Sequence, residues 1–216
     1  MIGEVNQVES SANCTDIDLE KANLHRIESS LEVVTSSSDV HIPNDTDDLD
    51  FFLLHFDGSK SLEGARVGCI LLDLKGNIFI IACRLEFECT DNTAKYEALL
   101  QGLKKAIDLK VKRVKVFGDS EIVVHHVNNI IHCNSVHLKK YQHEVWCLKS
   151  MFESFEINAI PRNKNIDVDL LVNFTSRLLP PKEIITDKFY VELLFRPSVP
   201  DNVTSWRVFD DDGQLL

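Results

Sequence analysis

The amino-acid sequence predicts one α/β domain, built as a mixed five-stranded sheet flanked by helices. Two observations predict this fold class. Between Leu49 and Pro180, short apolar runs of β type alternate with longer amphipathic segments in the order β-β-β-α-β-α-α-β-α. Short turns join the first three strands and favour an antiparallel meander, whereas the later strands alternate with helices, as in α/β architectures.

The meander occupies residues 49–87. The run "LDFFLLHFDGS", residues 49–59, is apolar and closes with Asp-Gly, which we interpret as the strand end. The run "ARVGCILLDLKGN", residues 65–77, closes with a Lys-Gly-Asn turn, and "IFIIACRLEF", residues 78–87, follows immediately. These runs predict the first three strands.

The helices follow from apolar periodicity. A first helix is expected from about Asp91 to Lys110, with Asp91 as its cap. Its apolar face contains Ala94, Leu99, Leu103, Ala106 and Ile107. The remaining elements are a fourth strand in 112–120, helices in 121–130 and 137–154, a fifth strand in 155–162, and a last helix in 165–179 that Pro180 and Pro181 end.

Composition divides the chain into three parts. Residues 1–48 are rich in Ser, Asp, Glu and Asn and predict a disordered acidic segment; residues 49–180 hold the domain, and residues 181–216 a C-terminal extension. The net charge of -11 is uneven, with -10 in residues 1–50, -3 in 201–216 and +2 in 51–200. The middle of the chain can therefore face a polyanion despite the acidic total.

Several classes of protein are excluded or disfavoured. No run of ~18 apolar residues predicts a membrane span. The start "MIGEVNQVESSANC" lacks the basic and apolar regions of a signal peptide, and the six cysteines form no CxxC pair. We therefore expect an intracellular protein with reduced thiols, no membrane partner and no small-molecule cofactor.

Three aspartates occupy similar positions in the predicted fold. Asp57 ends the first strand, Asp119 ends the fourth, and Asp169 lies in the first turns of the last helix. Acids at strand ends and helix starts can converge on one point of an α/β sheet, and carboxylates are ligands that suit Mg²⁺ or Mn²⁺. Taken singly, each aspartate is more simply a turn residue or a helix cap.

Four segments in series resemble one family: "FDGS", "LEFECTDNTAKYEALLQGL", "VKVFGDSEIVVHHVN" and "FESFEINAIPRNKNIDVDLL". They resemble the ribonuclease H-type domain of plant long-terminal-repeat retrotransposon polyproteins, over about residues 50–210. The resemblance implies the ribonuclease H-like fold and hydrolysis of the RNA strand of an RNA–DNA hybrid. It also implies four carboxylates that hold two divalent ions, Mg²⁺ or Mn²⁺, with Asp57, Asp119 and Asp169 as the first, third and fourth, and Asp167 nearby.

The second carboxylate of the family is missing. The family motif N-x-A-E-Y-E-A-L reads "NTAKYEAL" here, so Lys95 stands at the glutamate position. Glu97 cannot readily replace it, because two residues turn about 200° around a helix. A lysine ammonium has hydrogen-bond donors only, so it offers no lone pair to a metal ion. We expect Lys95 to substitute in part for the cations, with hydrolysis lost or badly weakened.

The resemblance also suggests contacts with nucleic acid. Thr90 and Asn92 match a family segment that touches the hybrid, although both can equally be ordinary helix-entry residues. Basic residues that can contact phosphates, or simply form a solvated face, include Lys104, Lys105, Arg162 and Lys164.

Two functions remain open from the sequence. The first is a divalent-metal endonuclease that cuts the RNA strand of a hybrid. The second is a catalytically inactive, retroelement-derived protein that binds nucleic acid. In either case we expect a monomer or a part of a larger polyprotein.

Overall fold

A computed structural model describes residues 51–62, 64–73, 75–166, 168, 169, 172 and 189–199. All of these residues belong to one compact unit. The N-terminal segment expected in 1–48 lies outside the described residues. The last helix is described only in part, by the helical residues Ile166, Val168, Asp169 and Val172.

The described residues contain one mixed sheet, which confirms the predicted fold class. Its strands are β1 (Phe51–Ser61), β2 (Gly64–Asp73), β3 (Ile78–Leu85), β4 (Arg113–Gly118), β5 (Ser154–Ala159) and β6 (Phe189–Leu194). The order across the sheet is β5-β4-β1-β2-β3-β6. The meander β1–β2–β3 is antiparallel, and the other three pairings are parallel.

The expectation of five strands is wrong, because β6 adds a sixth. This strand comes from the expected C-terminal extension and pairs with β3 at the edge of the sheet. It is six residues long and half-exposed, so it lacks the strong apolar signal of the central strands. An edge strand that follows two prolines has little in its local sequence to distinguish it from a loop.

The described residues form three complete helices, α1 (Asp91–Asp108), α2 (Glu121–Val127) and α3 (Val136–Lys149). Thr90, and not Asp91 as expected, caps α1, since its side-chain oxygen accepts a hydrogen bond of 3.2 Å from the Thr93 amide. Thr and Asp are both favoured N-cap residues, and the sequence does not fix the first residue of a helix to within one position. Within the described part of the chain, no helix is long and apolar enough to cross a membrane.

The core lies between the sheet and α1, and α3 packs against α1. Leu54 on β1 is fully buried, as are Leu99 and Leu103 on α1. The contact is close at Gly102, where an added Cβ would lie 2.6 Å from Leu54 Cδ1. This packing fixes the height of α1 above β1, and with it the position of Lys95.

Candidate functional site

Strand register places Asp57 beside Asp119. The parallel ladder of β1 and β4 ends at the pair Phe56 and Gly118. The next residue on each strand is an aspartate, so the two carboxylates start from equivalent positions at the same end of the ladder. β1 itself does not end at Asp57, as the sequence suggested, but continues to Ser61 through its pairing with β2.

A glycine lets α1 approach this point. A Cβ on Gly58 would lie 2.4 Å from the backbone carbon and oxygen of Ala94 and 2.7 Å from the Lys95 amide nitrogen. Only glycine fits where two backbones come this close. The contact places Lys95 on the turn of α1 that faces Asp57.

Lys95 forms ion pairs with both aspartates. Its Nζ lies 3.0 Å from Asp119 Oδ1 and 3.4 Å from Asp57 Oδ1. The contact with Asp119 has hydrogen-bond geometry, whereas Asp57 Oδ1 has no aligned donor among the described residues. The side chains are 16%, 9% and 5% exposed for Lys95, Asp119 and Asp57, so this is a buried cluster with little solvent screening.

The pKa values reflect the crowding of charge. Burial raises the pKa of Asp57 to about 6, the charge of Asp119 acts in the same direction, and the Lys95 ammonium opposes both. Burial alone would lower the pKa of Lys95, but the hydrogen bond to Asp119 and the charges of Asp57, Asp119 and Asp91 outweigh it and raise that pKa. Lys95 therefore remains a cation at neutral pH.

Asp169 has a cationic partner of its own. Arg162 Nη2, on the 3₁₀ turn Arg162–Lys164, lies 2.7 Å from Asp169 Oδ1. The Arg162 side chain is 75% exposed, and that of Asp169 is 26% exposed. A hydrogen bond to Asp169 and its charge raise the pKa of Arg162, and the charges of Asp119 and Asp57 add to this. The Arg162–Asp169 pair is thus within electrostatic reach of the Lys95 cluster.

Asn165 joins the two parts of the site, and sequence reasoning did not single it out. Its side chain is buried, donates a hydrogen bond of 3.1 Å to the Phe56 carbonyl, and lies 3.4 Å from His55 Nδ1. The backbone carbonyl of Asn165 accepts a hydrogen bond from the backbone amide of Asp169. Asn165 therefore holds the start of the last helix against β1, next to Asp57. The signal available in the sequence was that asparagine is a favoured N-cap residue, and Asn165 directly precedes the last helix.

Glu97 faces away from Lys95, as the helical spacing predicted. It is fully buried, and its Oε1 accepts hydrogen bonds of 2.6 Å from the Tyr141 hydroxyl and 2.8 Å from the Ser198 amide. Tyr141 lies on α3, and Ser198 follows β6. Glu97 thus ties α1 to its neighbours and is unavailable to the aspartates.

The arrangement does not fit a divalent ion bound by Asp57 and Asp119. The Lys95 ammonium occupies the position between their oxygens that a shared ion would need. Across the described ranges, no group of three or more acidic, histidine or cysteine side chains is placed to hold a metal. The Lys95 ammonium already lies within ion-pair distance of both carboxylates, and a second cation there would be repelled.

The residues expected to contact nucleic acid are spread over three regions, two of which lie near the Lys95 and Asp169 pairs. Thr90 and Asn92 begin α1, on the side of Lys95, while Arg162 and Lys164 are exposed on the 3₁₀ turn next to Asp169.

Lys104 and Lys105 lie farther along α1. Lys104 Nζ donates to the Ser198 carbonyl at 3.2 Å, and Gln101 binds the hydroxyl of the same serine at 2.8 Å. The Lys104 side chain thus binds the segment that follows β6. Sequence reasoning missed this hydrogen bond because its two residues are 94 positions apart in the chain.

A protein-family model described as "Reverse transcriptase-like" matches residues 55–175. This span is more than half of the chain and contains every residue of the Lys95 and Asp169 pairs. The chain belongs to the reverse transcriptase-like family.

Relatives of this reverse transcriptase-like chain support the same fold. Ribonuclease HI of Halobacterium salinarum is 29% identical over 121 residues, which are 55% of this chain and 61% of that protein. The alignment thus spans less than two thirds of the relative's length.

Two solved structures are similar to the reverse transcriptase-like chain. RNase H1 from Halobacterium salinarum NRC-1 has a TM-score of 0.55 and 26% identity, over 58% of this chain and 96% of that one. LC11-RNase H1, isolated from compost by a metagenomic approach, was solved in complex with an RNA/DNA hybrid. That complex has a TM-score of 0.52 and 26% identity, over 57% of this chain and 94% of the other. These matches confirm the ribonuclease H-like fold.

Proposed function

We propose that this chain binds RNA–DNA hybrids through a ribonuclease H-like domain in which Lys95 blocks metal-dependent hydrolysis of the RNA strand. The observation that carries the proposal is the position of Lys95 Nζ, 3.0 Å from Asp119 and 3.4 Å from Asp57. The hybrid is the proposed ligand because a structure of similar fold, LC11-RNase H1, was solved with one.

The magnitude of the charge effect supports the block. One unit charge acting on another at ~4 Å is worth roughly 4 kcal/mol at an effective dielectric constant of ~20, or about three powers of ten in an equilibrium constant. A divalent ion carries twice that charge, and Lys95 lies closer than this to both carboxylates. Binding of Mg²⁺ or Mn²⁺ at Asp57 and Asp119 would require the ammonium to leave.

The proposed contact surface combines the helix entry at Thr90 and Asn92 with the exposed turn that carries Arg162 and Lys164. Backbone phosphates give most of the affinity in such interfaces, and the 2′-hydroxyls and A-like shape distinguish a hybrid from DNA. Lys105 can add a phosphate contact farther along α1. Lys104 can do so only if it releases the Ser198 carbonyl.

We also propose that the domain derives from a retrotransposon polyprotein. The support is the series of motifs that resembles such polyproteins, together with membership of the reverse transcriptase-like family over residues 55–175. On this proposal, Lys95 has replaced the second carboxylate of an ancestral hydrolytic site.

The test compares binding and cleavage of a labelled RNA–DNA hybrid by the full chain. Wild type should bind in a salt-dependent manner and leave the RNA intact with Mg²⁺ or Mn²⁺. Lys95→Glu should cleave, and Lys95→Glu combined with Asp57→Asn should not. Lys75→Glu is the matched control, because Lys75 is an exposed lysine in the β2–β3 turn, at the end of the sheet opposite Asp57.

Each part of the proposal has its own contradicting result. Cleavage by wild type at the rate of Lys95→Glu would show that lysine is no block. Equal affinity for hybrid, duplex DNA and an unrelated polyanion would show that the domain does not recognise hybrids.

A further inference from the structure

The described site contains two side-chain cations for its three expected ligand carboxylates. Lys95 pairs with Asp57 and Asp119, and Arg162 pairs with Asp169. The two pairs come from different elements, α1 and the turn after β5, and Asn165 fixes one against the other through the Phe56 carbonyl. Each of the three carboxylates therefore lies within ion-pair distance of a cation of the chain itself, although the two cations offset only two of the three negative charges.

A site of this kind differs from a cluster of carboxylates whose charge is offset only when metal ions bind. Such a cluster repels the phosphodiester backbone until cations arrive, because like charges in a poorly screened site interact strongly. Here the compensating charges are part of the folded chain. The Lys95 side chain is only 16% exposed and lies within ion-pair distance of two carboxylates, so salt screens its charge less than that of a surface lysine.

Arg162 has the freedom that Lys95 lacks. Its side chain is 75% exposed, and an exposed ion pair is worth little, so the guanidinium can exchange the Asp169 carboxylate for a phosphate at small cost. A guanidinium also matches two phosphate oxygens at once. Arg162 lies at the rim of the site and Lys95 at its base.

We infer that Lys95 and Arg162 act as built-in counter-charges which let the site accept the phosphodiester backbone of a hybrid without divalent ions. Lys95 offsets one of the two negative charges of Asp57 and Asp119 beneath the strand, and Arg162 contacts the strand itself. The inference rests on the proposed hybrid binding and adds that this binding is independent of metal.

The test is fluorescence anisotropy of a labelled RNA–DNA hybrid with the full chain, in EDTA and in saturating Mg²⁺ at matched ionic strength. The RNA strand carries a nuclease-resistant phosphorothioate backbone, because Lys95→Glu is itself expected to cut an ordinary RNA strand in Mg²⁺. A denaturing gel checks that the RNA is intact. Wild-type affinity should differ by less than about twofold between the two conditions, because the site needs no ion. Lys95→Glu should lose on the order of tenfold or more in EDTA and recover in Mg²⁺, because three carboxylates then require an ion.

Three further variants separate charge from folding. Lys95→Met removes the positive charge without adding a negative one and should weaken binding in EDTA by less than Lys95→Glu does. Arg162→Gln should weaken wild-type binding in EDTA and reduce its salt dependence by about one phosphate contact. Arg162→Lys should keep the salt dependence, because the charge is retained, but lose part of the affinity, because an ammonium cannot match two phosphate oxygens at once. Lys75→Glu has the same charge change as Lys95→Glu, but its affinity for the hybrid should not depend on Mg²⁺. Circular dichroism checks that each variant is folded.

The failures of the two proposals are distinguishable. A wild type that binds hybrid in Mg²⁺ but markedly less in EDTA overturns the inference and leaves hybrid binding intact. A folded Lys95→Glu that binds as well as wild type in EDTA overturns it too. A wild type that binds no hybrid under either condition overturns hybrid binding, and the inference with it.

Discussion

Lys95 Nζ lies 3.0 Å from Asp119 Oδ1, in a hydrogen-bonded ion pair that links the second turn of α1 to the residue that follows β4. The pair joins two elements that are 24 residues apart in the chain. It forms because Gly58 lets α1 approach β1 and because the β1–β4 ladder stops one residue before each aspartate. Lys95 is thus a structural contact of the domain.

Loss of the Lys95 charge should destabilise the fold. Lys95→Met leaves Asp57 and Asp119 adjacent, buried and without their cation, and breaking such a pair costs about 3 kcal/mol of unfolding free energy. Urea denaturation at pH 7 measures this. Lys75→Met, at an exposed turn, should change stability by less than about 0.5 kcal/mol. Equal stability of the two variants would show that the Lys95 cluster contributes nothing to folding.

The raised pKa of Asp57 predicts that its contribution to stability grows as the pH falls. Its pKa of about 6 lies above the ordinary value of 3.8, so the folded state binds more protons than the unfolded state between those values. The free energy of unfolding should therefore rise as the pH falls from about 6 to about 4, with a slope of up to ~1.4 kcal/mol per pH unit from this group.

Other carboxyl groups titrate in the same window, so the measurement is the difference between wild type and Asp57→Asn. Urea titrations at several pH values should show wild type gaining stability relative to Asp57→Asn as the pH falls through about 6. A difference that stays constant, or that moves in the opposite direction, would show that the Asp57 pKa is not raised.

Gly58 should tolerate alanine less well than Gly102 does. At Gly58 the new methyl group meets the backbone of Ala94 and Lys95, which cannot yield without moving α1. At Gly102 it meets the end of the Leu54 side chain, which can change rotamer. We expect Gly58→Ala to cost about 1–3 kcal/mol or more and Gly102→Ala to cost less. Urea denaturation compares them, and the reverse order would contradict the close backbone approach.

Tyr141→Phe should destabilise the domain through Glu97. The change removes the hydroxyl that donates to a fully buried carboxylate, and a buried acceptor that loses its donor costs about 1–3 kcal/mol. Tyr190→Phe is the matched control, since Tyr190 donates to Glu192 at an exposed position and should contribute less than about 0.5 kcal/mol. If the two changes cost the same, the Glu97 contact is not a stabilising one.

Local patterns predicted most of the fold. Apolar runs indicated β1 to β5 and the helices because these elements bury a continuous face, and helical spacing correctly turned Glu97 away from Lys95. β6 was missed because a short, half-exposed edge strand has a weak pattern. The end of β1 was misplaced because Asp-Gly is typical of turns, whereas here the glycine serves the approach of α1.

Long-range contacts of the site were beyond the sequence. The partner of Asp169 is Arg162, which the sequence suggested only as a phosphate contact. Lys104 was grouped with other basic residues, although it binds the carbonyl of Ser198. Such pairings depend on where separate elements meet, and composition carries no information on that.

The most direct test of the central claim is calorimetric titration of the full chain with Mg²⁺ and Mn²⁺. Wild type should show no binding at the Asp57–Asp119 site, because the Lys95 ammonium already occupies it, and Lys95→Glu should bind with an affinity that Asp119→Asn then removes. Binding of either ion to wild type, with an affinity that Asp57→Asn or Asp119→Asn abolishes, would contradict the account.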